Sequence, residues 1–162
     1  MSIRFGSRSM LPCLRARAAA LTFAALAVGC APIAYRPNEG LTKELGLEEA
    51  KKRLKEIVIR ARQAGGGIIT SVDVTDEVLK VKAQQTTIGM FYQAETRQLE
   101  NDVYFPTVEK VDIYENNWAY VYVTGGRLVL QVLLVTPEDA KSFADLVMSF
   151  RDQRLRGRAA KA

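Results

Sequence analysis

Between Leu47 and Ala61 the apolar residues fall three and four apart: Leu47, Ala50, Leu54, Ile57, Val58 and Ala61. That spacing places them on one stripe and predicts an amphipathic helix over 47–63. Glu48 and Glu49 sit in its first turn, where they complement the positive end of the helix dipole. Gly65-Gly66-Gly67 ends it. The pattern then changes to β-type. Ile69 to Val74 and Val78 to Lys82 are strand-like runs separated by Thr75-Asp76-Glu77, which predicts a hairpin. Residues 84–107 carry the weakest pattern. Ile88 to Tyr92 reads as a strand and Glu95 to Asp102 as a loop or short helix, while Pro106 opposes a central strand.

Three further strand-like runs follow: Val108 to Tyr114, Trp118 to Thr124 and Arg127 to Val135. Asn116-Asn117 and Gly125-Gly126 join them, and both pairs suit two-residue hairpin turns. Such turns fix a register. Ala119, Val121 and Val123 then share a face with Leu128, Leu130, Val132 and Leu134. Trp118, Tyr120 and Tyr122 share the other face with Val111, Ile113, Val129, Gln131, Leu133 and Val135. The aliphatic face is core. The aromatic face is too apolar to stand simply in water.

A closing helix begins at Thr136, an N-cap residue followed by Pro137, Glu138 and Asp139. Its apolar stripe is Ala140, Phe143, Ala144, Val147 and Phe150. Beyond Leu155 and Gly157, residues 156–162 read as a basic flexible tail. Two helices bracketing these strands predict a single α+β domain over 47–155. Its expected form is an antiparallel sheet or partly open barrel with an N-terminal helix and a C-terminal capping helix. Hairpin strands leading into one terminal helix also resemble the end of a pleckstrin-homology-like barrel, in which that helix plugs an open end. The basic hairpin loop that would accompany phosphoinositide binding is missing.

The charge needs dividing before it is read. The chain has 23 basic and 18 acidic residues and no histidine. Arg4, Arg8, Arg15 and Arg17 lie ahead of Cys30 with no acid among them, and Arg151, Arg154, Arg156, Arg158 and Lys161 crowd the last dozen positions. The body between is slightly acidic. The basic balance is therefore a leader plus a tail, not a nucleic-acid-binding face.

The first thirty residues have the parts of a secretory signal: Arg15 and Arg17, an uncharged apolar stretch from Ala18 to Val28, then Gly29 and Cys30. The stretch is too short to span a bilayer. Met10 is an alternative start that leaves the same mature chain. Leu26-Ala27-Val28-Gly29-Cys30 resembles the lipobox of bacterial lipoproteins, although Ala27 departs from the leucine common at that place. The resemblance implies removal of residues 1–29 as a signal peptide, cleavage between Gly29 and Cys30, and a diacylglyceryl group on the Cys30 sulfur with the new amine acylated. Ala31, in the sorting position, implies an outer-membrane, periplasm-facing location. Two or three acyl chains hold a protein durably, at about 0.8 kcal/mol per buried CH₂. Residues 30–46 then form the lipidated N-terminus and a tether, with Pro32, Pro37 and Gly40 opposing regular structure.

Nothing in the residues assembles a catalytic or metal site. There is no histidine, and cleavage leaves one cysteine, so the usual nucleophile triads and zinc sets have no donors. Gly65-Gly66-Gly67 follows a helix and lacks the lysine of a phosphate loop. Asp73 with Asp76, and Asp112 with Glu115, are the candidate carboxylate pairs, each at a strand end or turn. Trp118, Tyr120 and Tyr122 are the candidate binding residues, because aromatics with polar tips suit contact surfaces. The expectation is a non-enzymatic, lipid-anchored interaction or scaffold module with an envelope protein partner, no cofactor, no metal and no nucleic acid. The alternative is a small-molecule or lipid carrier using the aromatic sheet face as a pocket wall.

Overall fold

A computed structural model describes residues 32–38, 40–88 and 93–160. The lipobox, the Gly29–Cys30 cleavage site and Ala31 lie outside the described residues. So does most of the run expected as a strand from Ile88 to Tyr92.

The chain forms α1 (Leu41–Leu45), α2 (Leu47–Arg60), β1 (Arg62–Gln63), β2 (Gly67–Val74), β3 (Val78–Ile88), β4 (Ala94–Tyr104), β5 (Val108–Ile113), β6 (Trp118–Val123), β7 (Arg127–Leu133) and α3 (Pro137–Ala159). The strands make one open antiparallel sheet in the order β4-β3-β2-β1-β7-β6-β5. It is therefore an α+β fold, open rather than closed into a barrel. Among the described residues, two three-stranded meanders, β2–β4 and β5–β7, are linked within the sheet through β1. That strand pairs Arg62 with Ile68 and Leu133, and Gln63 with Gly67 and Val132.

The inner faces of both meanders meet in one core. Val72, Leu79, Val81, Ala83 and Val103 come from the first, and Val111, Ile113, Ala119, Val121, Leu130 and Val132 from the second. Leu54, Ile57 and Val58 of α2 join that cluster, as the helical stripe predicts. The closing helix supplies its predicted stripe together with Leu146 and Met148. It is buried beyond one stripe because α1 packs on it as well: Ser149 Oγ accepts from Thr42 N–H at 2.8 Å and lies 2.7 Å from Thr42 Oγ1. Phe150 stacks on Phe105 at 4.7 Å between ring centroids, just where the chain passes from β4 to β5. Thr136 caps α3 by accepting from Asp139 N–H at 3.0 Å. Among the described residues no helix is long and apolar enough to cross a membrane.

Four local expectations are corrected. Glu95 to Asp102 is part of an eleven-residue strand, not a loop or short helix. It pairs residue by residue with β3, from Val78↔Tyr104 to Ile88↔Ala94. Most of that strand is polar on both faces, so no alternation marked it. The turn at 114–117 is one residue longer than a two-residue turn, with Tyr114 N–H donating to the Trp118 carbonyl at 2.9 Å and Asn117 at φ 64. One residue of slip exchanges the faces, so Val111 and Ile113 pair with Val121 and Ala119 in the core rather than joining the aromatic face. A bulge in the β6–β7 pairing then places Leu128 opposite Tyr122, 44% exposed, rather than in the core. Finally, α3 continues to Ala159, so Arg156 and Arg158 are helical.

The segment expected as a tether is docked where it is described. Ile33 bridges Ile113, its N–H donating to the Ile113 carbonyl at 2.6 Å. Tyr35 Oη donates to Asp145 at 2.8 Å and Asn38 N–H to the same oxygen at 2.7 Å. Burial, reinforced by that carboxylate, pushes the Tyr35 phenol up to about 12. Gly46 links α1 to α2 at φ 80, ψ 152, a conformation essentially confined to glycine.

Candidate functional site

β6 sets the aromatic face. Its residues alternate, so Ala119, Val121 and Val123 are buried while Trp118, Tyr120 and Tyr122 lie partly buried on the outer side. The helices pack with the inner face. Trp118 and Tyr120 are near-parallel, with centroids 6.3 Å apart and planes 23° apart. Tyr114 meets Tyr120 edge-on at 4.7 Å. Gln131 Nε2 donates to Tyr120 Oη at 2.7 Å, which orients that ring. At the other end Lys110 Nζ lies 4.7 Å over the Tyr122 ring and 2.6 Å from Asp112. Hydrogen bonding to Asp112 holds the Lys110 ammonium above its ordinary range, and burial raises the Tyr114 phenol. Leu133, Leu128 and Val135 (58% exposed) add apolar surface around these rings.

The structure therefore brings all three expected binding residues together on one open sheet face. It adds Tyr114 and Lys110, which the sequence reading left out, and Asp112, which that reading paired with Glu115 instead. The missing signal was the turn: once Asn117 takes a positive φ, residues 110, 112 and 114 fall in phase with 122, 120 and 118.

Two of the four candidate carboxylates, Asp76 and Asp112, hold structure. Asp76 is clamped by Lys51 at 2.6 Å and Arg154 at 2.7 Å, joining the β2–β3 turn to α2 and α3. The Lys51 hydrogen bond and both cations hold Asp76 below the ordinary carboxylate range. Asp73 lies opposite Lys80, Asp112 pairs with Lys110, and Glu115 is exposed in the turn.

A second feature lies in the β3–β4 hairpin. Its proximal half packs in the core, but residues 86–88 and 94–98 are exposed on both faces, with Ile88 at 73%. Thr86 and Thr96 face each other at 3.3 Å between hydroxyls, and Arg97 pairs with Glu95 at 3.2 Å. Gln85 Nε2 donates to the Gly65 carbonyl at 2.8 Å, bracing the base of the hairpin. β4 is also the end strand of the sheet, so its outer edge carries no strand neighbour among the described residues.

The fold and these two surfaces define an α+β domain with an open antiparallel sheet. No family model and no curated protein matches the chain.

Proposed function

We propose that this protein is a lipid-anchored module of the bacterial cell envelope, held at the outer membrane through Cys30 and facing the periplasm. It works without catalysis, by presenting the distal β3–β4 hairpin to a protein partner. The carrying observation is that hairpin. A two-stranded ribbon with no buried face is marginal by itself in water, because its ordering entropy is not offset by burial. Among the described residues no strand lies beyond the distal part of β4, and an extended segment of a partner can add a strand there. The lipobox resemblance at Leu26 to Cys30 supports the anchor. The absence of histidine and the structural engagement of Asp76 and Asp112 support a non-enzymatic role. A closing helix after a three-stranded meander supports the pleckstrin-homology-like resemblance.

A photoreactive side chain at Gln98 tests the surface in intact envelopes. The expected result is a discrete crosslinked product that is absent when the same group replaces exposed Glu48. No product from β4, with a product from Glu48, would overturn the assignment. The anchor is tested on the native protein: its mass should show acyl chains on Cys30, and Cys30→Ser should release the protein from the membrane.

A further inference from the structure

We infer that the outer aromatic face of β5–β7 rests on the zwitterionic headgroup layer of the membrane that holds the anchor. The inference builds on the reading of Cys30 as the lipidated residue.

The first observation is chain length. Three peptide steps separate Cys30 from Ile33. A fully extended chain covers at most about 3.6 Å per residue, so the anchor lies within roughly 11 Å of Ile33. Ile33 is not free to swing. It bridges Ile113 at the end of β5, and Tyr35 and Asn38 are both bonded to Asp145. The domain therefore cannot stand off the bilayer on a long leash, and the end of β5 must sit close to the lipid.

The second observation is what lies at that end. Tyr114 directly follows Ile113, and its N–H is bonded to the Trp118 carbonyl. Trp118 stacks with Tyr120, which meets Tyr114 edge-on. Beside that end of β5, on the outer face, lie one tryptophan and two tyrosines, with exposed Leu128 on the same meander. Trp and Tyr are the side chains that settle at the membrane–water boundary, with ring in the apolar margin and polar tip among headgroups.

Charge selects the lipid. Lys110 is paired with Asp112 and lies against Tyr122, and exposed Arg62 of β1 lies opposite Leu133 at the border of the face. Glu115 is exposed in the adjoining turn and Arg127 at the start of β7. The face is close to neutral. It lacks the unpaired basic cluster that anionic lipid attracts, and it fits phosphatidylethanolamine or phosphatidylcholine headgroups.

Trp118 is the chain's one tryptophan, so its emission reports on this face alone. The mature chain from Cys30 onward has a single thiol, and residues 32–162 form one compact unit. That chain is coupled through Cys30 to a maleimide lipid in vesicles of phosphatidylcholine and phosphatidylethanolamine. Relative to the uncoupled chain, Trp118 emission should move to shorter wavelength. Acrylamide quenching should fall about threefold, and lipids brominated near the glycerol should quench the emission. The shift should persist in roughly 0.5 M salt, where ionic adhesion is screened. Unchanged emission and quenching on the vesicles would overturn the inference. So would a shift abolished by salt, or protection of Trp118 in intact envelopes but not on protein-free vesicles, which would assign the face to a protein. Because the coupling is chemical, the outcome is independent of whether cells acylate Cys30. The mass of the native protein decides that separately.

Discussion

The outer face of β2–β4 carries Asp73, Lys80, Lys82, Gln98 and Glu100, whereas the outer face of β5–β7 carries Tyr114, Trp118, Tyr120 and Tyr122. The two meanders otherwise match. Both are three antiparallel strands, and both turn an aliphatic inner face to the same core. On the first, cross-strand partners alternate in charge: Asp73 opposes Lys80, Lys80 opposes Asp102, and Lys82 pairs with Glu100 at 3.1 Å. Such a surface is satisfied largely by water and by itself, although Asp102 Oδ1 is buried without a hydrogen-bond partner among the described residues. On the second, four rings leave apolar area at the surface that water does not satisfy. The inner faces make the fold. The difference between the outer faces is what calls for an occupant on one of them.

The strongest way to break the comparison is at the shared core. Phe150 is 1% exposed and stacks on Phe105, which joins the two meanders. Phe150→Ala should cost about 3–5 kcal/mol in denaturant unfolding. The two meanders should be lost in a single transition, read by Trp118 emission for one and hydrogen exchange in β3 for the other. Separate transitions would show that they are independent units.

A smaller effect is expected where the aromatic face is set in phase. Asn117 occupies the left-handed region at φ 64. Asn117→Val should destabilise by about 1–2 kcal/mol, because a β-branched residue resists that conformation, whereas Asn117→Gly should be near neutral. Thermal unfolding of both variants checks this. A neutral valine variant would argue against the three-residue turn and hence against the placement of Tyr114 and Lys110.

The docking of the N-terminal segment on the aromatic half can be sharpened by pH. Tyr35 rises from 10.0 to about 12 in the fold, chiefly by burial and then by Asp145. The proton is therefore held more tightly when folded, and the contribution is fully present below pH 10. As pH rises from 10 to 12 the unfolded chain loses its proton first, so stability declines across that window. Tyr35→Phe should remove this part of the decline. An identical pH profile for the variant would count against the Tyr35–Asp145 contact.

The smallest effect belongs to the polar outer face. Lys82 and Glu100 are each more than half exposed. Lys82→Ala should change stability by no more than about 0.5 kcal/mol in chemical denaturation. A larger loss would mean that this face, too, is structural, and the contrast between the halves would narrow.

Periodicity made much of the fold legible before any coordinates. It located α2, although the helix expected over 47–63 ends at Arg60 and gives way to β1, and it located the β6 and β7 alternation and the α3 stripe from Ala140 to Phe150, because each buries one face and burial leaves a repeat in the residues. It also put Trp118, Tyr120 and Tyr122 on one side of a strand. The distal hairpin left no such trace, since Thr86, Thr96 and Arg97 bury neither face. Its strand character comes from pairing with a neighbour, which composition does not encode.

What the sequence alone determined is therefore the set of elements that bury a face, the α+β class, and the aromatic identity of one strand. Tertiary structure decided which residues join those rings, because one extra residue in the 114–117 loop reverses every side chain that precedes it. It also decided that residues 33–38 lie on the body, through Asp145 more than a hundred positions away. Register and long-range polar contacts depend on where distant segments meet in space, and a one-dimensional pattern records only what each segment does with its own neighbours.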